Sequence, residues 1–421
     1  MSRGRSSRRF AGTGQVLKVR SFRWWFSAQV LSASGNMTQG VAQSWLVLRL
    51  TGSALLLALT ATVTFAPSLL GGAYAGSLVD RFDRRHVLVV TQSSFFCLSL
   101  GLGALVLTHN APVWVVFVFA FASGLVGTVD APARQVFVLD LVGDGRATNA
   151  VSLNEVVINT SRVLGPSLGG VLLVTVGVGV CFVANAATFL PPLAVVLVLL
   201  RRRGWASTHV VPAERLPGHV REGLAYAWGF PAVRSCILMA VAGGMLFNMG
   251  STLPLMATRA FHSGPGAFGA MMACFGAGAL FGAALAGSET TLPAGRLVRL
   301  LCLLTGLEVV LTALSPSLGM MYLGMAVAGF LSIWFIALAN ALVQVRTAPA
   351  FRGRVMGAWT MALPGMLPLT SLLVGIVATL LGGAGGARTA FALGGVALVA
   401  SAAYGWHALD DEGGPIPVPG A

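Results

Sequence analysis

Long apolar runs recur along the whole chain, separated by short polar segments. A run of about 20 apolar residues can cross the hydrocarbon core of a bilayer as an α-helix. The hydrocarbon core contains no water to hydrogen-bond backbone N–H and C=O groups, so only helices and closed β-barrels span it. A barrel would show strands of about 10 residues in which apolar and polar side chains alternate. The pattern therefore predicts an all-α integral membrane protein with twelve transmembrane helices. The predicted spans lie at roughly 23–48, 53–79, 86–108, 112–139, 148–176, 179–200, 232–258, 264–287, 294–313, 316–345, 352–380 and 386–408.

A hydrophilic stretch at 201–231 divides these runs six and six. We therefore expect two pseudo-symmetric halves that repeat weakly. Gly145-Arg146 and Gly165-Pro166 in spans 4 and 5 are answered in spans 10 and 11 by Gly353-Arg354, Pro364 and Pro368. Parallel six-helix repeats of this kind place substrate near the membrane midplane. The expected segments are an N-terminal segment 1–21, a first half 22–200, a linker 201–231, a second half 232–408 and a tail 409–421.

Composition supports the membrane assignment and excludes several functions. The 421 residues are 56% hydrophobic and 10% charged, with a mean hydropathy of +0.82. Soluble domains carry about 25% charged residues. The cysteines and histidines lack metal-ligand spacing, and Lys18 is the only lysine, so a phosphate-binding loop of the P-loop type is missing. We expect neither an enzyme nor a resident cofactor or metal.

The net charge of +14 raises the possibility of a nucleic-acid partner, but its distribution argues against one. Of the 27 basic residues, 22 lie in the N-terminal segment, alternate loops and linker, three in the opposite loops and two inside spans. This asymmetry is the positive-inside pattern of membrane proteins. It predicts that both termini and the 201–231 linker are cytoplasmic.

The loop from 76 to 85 is a dense charge cluster between two apolar runs. Its Gly76, Asp80, Arg81, Arg84 and Arg85 resemble the signature loop between transmembrane helices 2 and 3 of the major facilitator superfamily. The resemblance implies a twelve-helix secondary transporter whose loop latches the outward-open state. The alternative is an ordinary positively charged cytoplasmic loop.

The fifth span carries small residues at every fourth position, a spacing that makes a groove for a neighbouring helix. Ser161, Gly165, Pro166, Gly169 and Gly170 resemble the exporter motif of this superfamily, with serine in its first place. The resemblance implies proton-driven antiport. The alternative is ordinary glycine-mediated packing.

Charged residues inside the spans are the candidates for proton coupling, because buried charges are costly and mark pathways or relays. Asp130 and Arg134 lie four residues apart, which suits an in-helix pair. Glu155 and Arg162 share one face of span 5, with Asn159 between them. The alternative is a structural ion network. Glu308 in span 9 is expected to be peripheral if the superfamily arrangement holds.

The first span is polar along one stripe, which in lipid should line a cavity. Together with the aromatic side chains of Phe26, Trp45 and Trp334, this stripe suits an amphipathic small molecule better than a sugar or an ion. The alternative is that these aromatic residues face the lipid or the membrane interface. The candidate lining residues are Gln29, Ser32, Asn36, Gln39 or Gly40, and Gln43 in span 1, Asn159 in span 5, Asn248, Ser251 and Thr252 in span 7, and Asn340 and Gln344 in span 10.

Three further segments, at 46–53, 130–135 and 149–154, resemble the branch that holds the enterobactin exporter and macrolide efflux pumps. The resemblance implies an exporter in a bacterial cytoplasmic membrane, and we expect it to act as a monomer. It would use the proton gradient to expel a siderophore, an antibiotic or a similar small molecule by alternating access. The rival hypotheses are an importer or uniporter with the same fold and a transport-inactive sensor or scaffold.

Overall fold

The computed structural model describes residues 18–142, 147–201, 228–288, 294–347, 355–356, 359 and 365–409. Of residues 72–74, 76, 77, 80, 147–152, 155, 156, 158, 159, 162, 163 and 288 it describes the backbone alone. Every regular element within these ranges is a helix. This agrees with the all-α class expected from the run lengths.

The helices follow the predicted spans closely. The first are α1 Arg20–Thr51, α2 Ala54–Arg81, α3 Arg84–Leu107, α4 Val113–Val142, α5 Ala147–Thr175, α6 Val178–Thr188 and α7 Leu190–Arg201. The later ones are α8 Pro231–Leu246, α9 Met249–Leu255 with a π-helical turn Met256–Ala260, α10 Pro265–Ser288, α11 Gly295–Ala313, α12 Leu318–Arg346, α13 Leu367–Leu381 and α14 Gly383–Tyr404.

Seven stretches of the described chain are long and apolar enough to cross a membrane, and an eighth is a bent pair. Helix α1 has 32 residues but is not among them. Its polar stripe lowers its hydropathy, although its length exceeds the ~20 residues that a span needs. The predicted span 352–380 is described as a helix over Leu367–Leu381, and most of its first part lies outside the described residues.

The chain forms two compact units. The first comprises Met1–Leu46 and Ala66–Pro212. One end of its helix bundle holds an apolar layer, in which Phe22 and Trp25 of α1 pack with Leu88 of α3 and Val196 of α7. The ring of Trp25 meets that of Phe137 edge-on at 4.8 Å. Because lipid is as apolar as this layer, van der Waals packing, and not exclusion of water, holds these helices together.

The second unit comprises Val47–Phe65 and Ala213–Ala421. Its helices α10 and α12 cross closely, because the side-chain positions of Gly282 and Gly329 face the backbone of the other helix. The guanidinium of Arg259 holds residues 47–65 in this unit: it donates to the carbonyl of Gly52 at 2.8 Å and to that of Ala378 at 3.3 Å. Gly52 has φ +63°, a conformation that glycine adopts without strain.

The predicted span 232–258 is broken in the structure. Helices α8 and α9 meet at 41° across Phe247 and Asn248. Pro254 follows, which removes one backbone donor, and the π-helical turn completes the segment. Asn248, one of the candidate cavity residues, therefore stands at the break and not on a continuous helix.

Candidate functional site

The Asp130–Arg134 pair expected from the four-residue spacing is present in α4. Arg134 Nε lies 2.7 Å from Asp130 Oδ2. The Asp130 side chain is 2% exposed and that of Arg134 38%. The carboxylate is thus buried in the first unit, whereas the side chain of Arg134 is partly exposed although its Nε is buried.

Two neutral donors from α3 complete the surroundings of Asp130. Its Oδ1 accepts hydrogen bonds from Thr91 Oγ1 at 2.7 Å and from Gln92 Nε2 at 2.9 Å. A buried charge is tolerated when it is paired and hydrogen-bonded, and both conditions hold here. Sequence reasoning singled out Asp130 and missed these partners. The signal was available in Thr91 and Gln92, a polar pair inside an apolar run.

The same arginine connects the pair to the polar stripe of α1. Arg134 Nη1 donates to Gln29 Oε1 at 3.1 Å. Gln29 is buried, and its Nε2 has no hydrogen-bond partner among the described residues. A buried amide donor without a partner costs free energy. The amide of Gln29 would therefore be stabilised if a rearrangement, or a ligand entering the site, supplied a hydrogen-bond acceptor for its Nε2.

The remaining residues of the stripe divide into two groups. Gln39 accepts from Ser99 Oγ at 2.7 Å and from Asn185 Nδ2 at 2.6 Å, so it belongs to a buried polar cluster inside the first unit. Ser32 is also buried, whereas Asn36 is exposed and Gln43 half-buried. The stripe was predicted to include either Gln39 or Gly40. Of these two residues, Gly40 is exposed.

The glycines of the α5 motif pack directly on α1. A Cβ at Gly165 would come 2.5 Å from the carbonyl oxygen of Ser34 and would also overlap Met37, and one at Gly169 would lie 3.2 Å from Val41 Cβ. The carbonyl of Gly165 accepts from Thr38 Oγ1 at 2.7 Å. The groove that the spacing predicts is therefore filled by α1.

The other motif positions are also buried. Ser161 is 0% exposed, and its hydroxyl donates to the carbonyl of Val157 at 2.8 Å. Pro166 and Gly170 are buried as well. The motif thus lies inside the first unit, against the helix that carries Gln29 and Asn36.

The described part of the charged loop is held by two ion pairs. Arg84 Nη1 lies 3.3 Å from Asp140 Oδ2, and Arg85 Nη2 lies 2.7 Å from Asp83 Oδ2. The backbone N–H of Arg85 donates to Asp83, which caps the start of α3. The side-chain hydrogen bond from Arg85 lowers the pKa of Asp83 below its ordinary value. Arg81 is exposed, and of Gly76 and Asp80 the structure describes the backbone alone.

A second polar cluster surrounds the break between α8 and α9. Asn248 Nδ2 donates to Thr370 Oγ1 of α13 at 2.6 Å, and the hydroxyl of Ser371 donates to Asn248 Oδ1. Ser251 and Thr252 are buried nearby in α9. The cluster ties the broken span to α13 within the second unit. Thr370 and Ser371 were missed by sequence reasoning.

Helices α11 and α12 hold the remaining polar candidates. Gln344 Nε2 donates to Asn340 Oδ1 at 2.6 Å on an open face of α12. Glu308 of α11 accepts from the hydroxyl of Thr312 through one oxygen, and its Oε2 is buried with no partner among the described residues. The side chains of the span 5 candidates Glu155, Asn159 and Arg162 lie outside the described residues.

Buried intramembrane ion pairs in an all-helical, multi-pass chain are features of membrane transporters. The profile of the family described as "Transmembrane secretion effector" matches residues 12–410. The chain therefore belongs to this family of the major facilitator superfamily. It is a membrane transporter and not an enzyme.

Three relatives illustrate the branch. The staphyloferrin A transporter of Staphylococcus aureus is 25% identical over 367 residues, covering 86% of this chain and 90% of its own. The multidrug efflux pump Tap of Mycobacterium tuberculosis is 26% identical over 356 residues, covering 83% and 84%. The enterobactin exporter EntS of Citrobacter koseri is 26% identical over 348 residues, covering 81% of each chain. These relatives confirm the resemblance to a branch of siderophore and drug transporters.

The fold is also that of solved transporters. The crystal structure of a bacterial homologue of the human lysosomal transporter Spinster, in an inward-facing and unoccupied conformation, aligns with a TM-score of 0.71. The alignment covers 92% of this chain and 96% of that one at 15% identity. At this identity the likeness concerns the fold alone.

Proposed function

We propose that this protein is a proton-driven exporter of a small amphipathic molecule, such as a siderophore or an antibiotic. In this proposal it has twelve transmembrane helices in two six-helix halves, lies in a bacterial cytoplasmic membrane with both termini cytoplasmic, and works as a monomer by alternating access. The family membership and the efflux and siderophore functions named for its relatives support the proposal. The observation that carries it is the buried Asp130–Arg134 pair joined to Gln29 of the polar helix α1.

The pair offers a direct link between a proton and substrate. Arg134 and a proton compete for the same carboxylate, because protonated Asp130 no longer carries the charge that holds the guanidinium. Without the ion pair, Arg134 would be able to move, and its hydrogen bond to Gln29 would break. Helix α1 would then change its polar contacts when the proton binds. The exposed amide of Asn36 lies on the same helix and can both donate to and accept from a substrate.

The proposal is tested with inverted membrane vesicles that contain the full-length protein. Ethidium serves as the amphipathic probe, and enterobactin and staphyloferrin A as siderophore probes. Export predicts that at least one probe accumulates inside the inverted vesicles when a proton gradient is applied and leaves when an uncoupler collapses it. Uptake by intact cells without accumulation in inverted vesicles would support the importer alternative. Transport of each probe that is indifferent to the uncoupler would contradict proton coupling.

The role of Asp130 is tested separately from the direction of transport. Asp130→Asn should abolish gradient-driven accumulation and retain exchange of labelled for unlabelled probe across vesicles without a gradient. A purely structural ion pair predicts that both activities fall together. Glu308→Gln is the matched control, because Glu308 also lies in a helix but has no ion-pair partner in the described part of the chain, and it should leave both activities unchanged.

A further inference from the structure

A groove of about 280 Å³ opens on the surface of the first unit, between the start of α1 and the second half of α7. Arg20, Ser21 and Trp24 line it from α1, and Ala194, Val195 and Val198 line it from α7. It lies over the apolar layer of Phe22 and Trp25, at the end of the unit where α3 begins and α7 ends. This surface takes no part in the charge network around Asp130.

The groove is amphipathic along its length. Its mouth is basic: Arg20 is exposed there. Lys18 just before α1, Arg23 in its first turn and Arg201 at the end of α7 are exposed beside it. Residues 18–29 and 190–203 contain no aspartate or glutamate. The inner part is apolar, with Trp24 58% exposed and Val198 55% exposed. A ligand that matches both parts carries an anionic group at one end and a hydrocarbon chain at the other.

The electrostatics of α1 also favour an anion at this mouth. The N-terminus of a helix carries a partial positive charge and is stabilised by negative groups in its first turn. Helix α1 has no acidic residue in its first turn and instead has Arg20 and Arg23 there. Positive side chains at this end are unfavourable until an anion neutralises them. The described residues supply no ion-pair partner for these arginines.

From this geometry we propose that the groove binds one anionic phospholipid, with its phosphate at Arg20 and Ser21 and an acyl chain along Trp24 and Val198. The topology given under Proposed function puts this groove on the cytoplasmic side. Basic pockets between transmembrane helices on that side are suited to such headgroups. The bound lipid would hold the start of α1, the helix that carries Gln29 and Asn36. The site is independent of the direction of transport and of the substrate.

A second surface groove provides the contrast within the same unit. It has a volume of about 450 Å³ and is lined by residues of α3, of α4 and of the loop between them, including Trp114, Val118 and Phe119, with no basic side chain. It offers an acyl chain an apolar surface and an aromatic ring, but nothing for a phosphate. We expect it to accept lipid tails without regard to the headgroup.

Native mass spectrometry of the purified full-length protein tests the proposal. Phosphatidylglycerol and phosphatidylcholine with identical acyl chains are titrated separately into the delipidated protein. The first phosphatidylglycerol should bind at least about fivefold more tightly than the first phosphatidylcholine, since each basic residue near the headgroup contributes about 1 kcal/mol. Equal affinities for the two lipids would overturn the proposal.

Variants locate the site. Arg20→Gln should weaken the first phosphatidylglycerol about fivefold, and Trp24→Ala should weaken it as well. Arg49→Gln, at the other end of α1, and Trp114→Ala, in the second groove, should leave it unchanged. Arg20 is exposed, so its variant is expected to fold, and gel filtration verifies this. An Arg20→Gln protein with wild-type lipid affinity would overturn the assignment.

Inorganic phosphate distinguishes a lipid site from a simple anion site. Millimolar phosphate at constant ionic strength should not displace phosphatidylglycerol, because the acyl chain supplies part of the binding. Displacement by phosphate alone would show that the mouth recognises any anion, and the lipid assignment would fail.

Discussion

Asp130 and Glu308 are both carboxylates inside long apolar helices, and their surroundings differ at every contact. Asp130 contacts one ion-pair partner, Arg134, and two hydrogen-bond donors, Thr91 and Gln92. Glu308 meets one hydroxyl, from Thr312, and its second oxygen has no partner among the described residues. The same amide substitution should therefore have different consequences at the two positions.

Asp130→Asn should lower the free energy of unfolding by about 1–3 kcal/mol, because it leaves a guanidinium without its counter-ion. The lower part of this range is expected, since Arg134 is 38% exposed and water can solvate it. Glu308→Gln should be close to neutral, because glutamine keeps an acceptor for Thr312 and breaks no ion pair among the described residues. The apparent Tm of each variant in detergent checks both expectations. If the two substitutions lowered the Tm equally, the inference that Asp130 depends on its partners more than Glu308 does would be wrong.

At the scale of helices, the closest contact of the motif in α5 is with α1. Gly165 has room for hydrogen alone, because Ser34 and Met37 occupy the space where a Cβ would lie. Two neighbouring helices that approach this closely need small residues at the crossing. The packing of α5 on α1 therefore depends on this position more than on Gly169, whose Cβ would lie 3.2 Å from its nearest atom.

Gly165→Ala should push α5 away from α1 and cost about 1–3 kcal/mol of stability, the usual cost of overpacking. It should also break the hydrogen bond from Thr38 to the carbonyl of Gly165. Gly40→Ala is the matched control, since a Cβ there meets no atom within 4 Å. Thermal unfolding in detergent measures both variants. A Gly165→Ala protein as stable as wild type would mean that α1 and α5 are free to separate.

The start of α3 gives a second prediction at this scale. Asp83→Ala should cost about 1 kcal/mol because it removes the helix cap, whereas Asp83→Asn keeps a capping oxygen and should cost a few tenths. The pKa of Asp83 is lowered by Arg85, so its charge contributes stability above the ordinary carboxyl pKa of about 3.9. That contribution is lost as the pH falls through the lower folded value. Tm measured from pH 6 to pH 3 should fall less at the acid end for Asp83→Asn than for wild type.

The positions of helices could be predicted from the sequence because lipid imposes a length and a polarity on each span. The side-chain partners that lie on different helices could not, whereas the Asp130–Arg134 pair within one helix was predicted from its four-residue spacing. Gln39 and Asn185 lie in different spans, and no local pattern indicates that Asn185 donates to Gln39. The break at Asn248 was also missed, although Pro254 follows it, because the apolar run continues through the bend. The interior partners of Asp130 depend on how α3 and α4 pack, which periodicity does not specify.

At the scale of the whole molecule, the strongest sequence signal is the uneven distribution of charge. Basic residues concentrate in alternate loops, and the positive-inside rule relates this asymmetry to the side of the membrane. The same asymmetry has a local structural counterpart in the first unit. The starts of α1 and α3 and the end of α7 carry exposed or ion-paired arginines, whereas the loop between α3 and α4 carries none. The orientation can therefore be tested independently of transport.

Fusions at the two kinds of position should report opposite sides. Green fluorescent protein joined after residue 409 should fluoresce, because it folds in the cytoplasm, and alkaline phosphatase at the same place should be inactive. Alkaline phosphatase inserted at His109, in the loop between α3 and α4, should be active in the periplasm. His109 has φ +59° at the end of α3, so this loop already departs from helical geometry and is a suitable insertion point. The reverse pattern would invert the membrane orientation. The basic mouth of the lipid groove would then face away from the cytoplasm, and the preference for anionic lipid would have to be explained without the cytoplasmic leaflet.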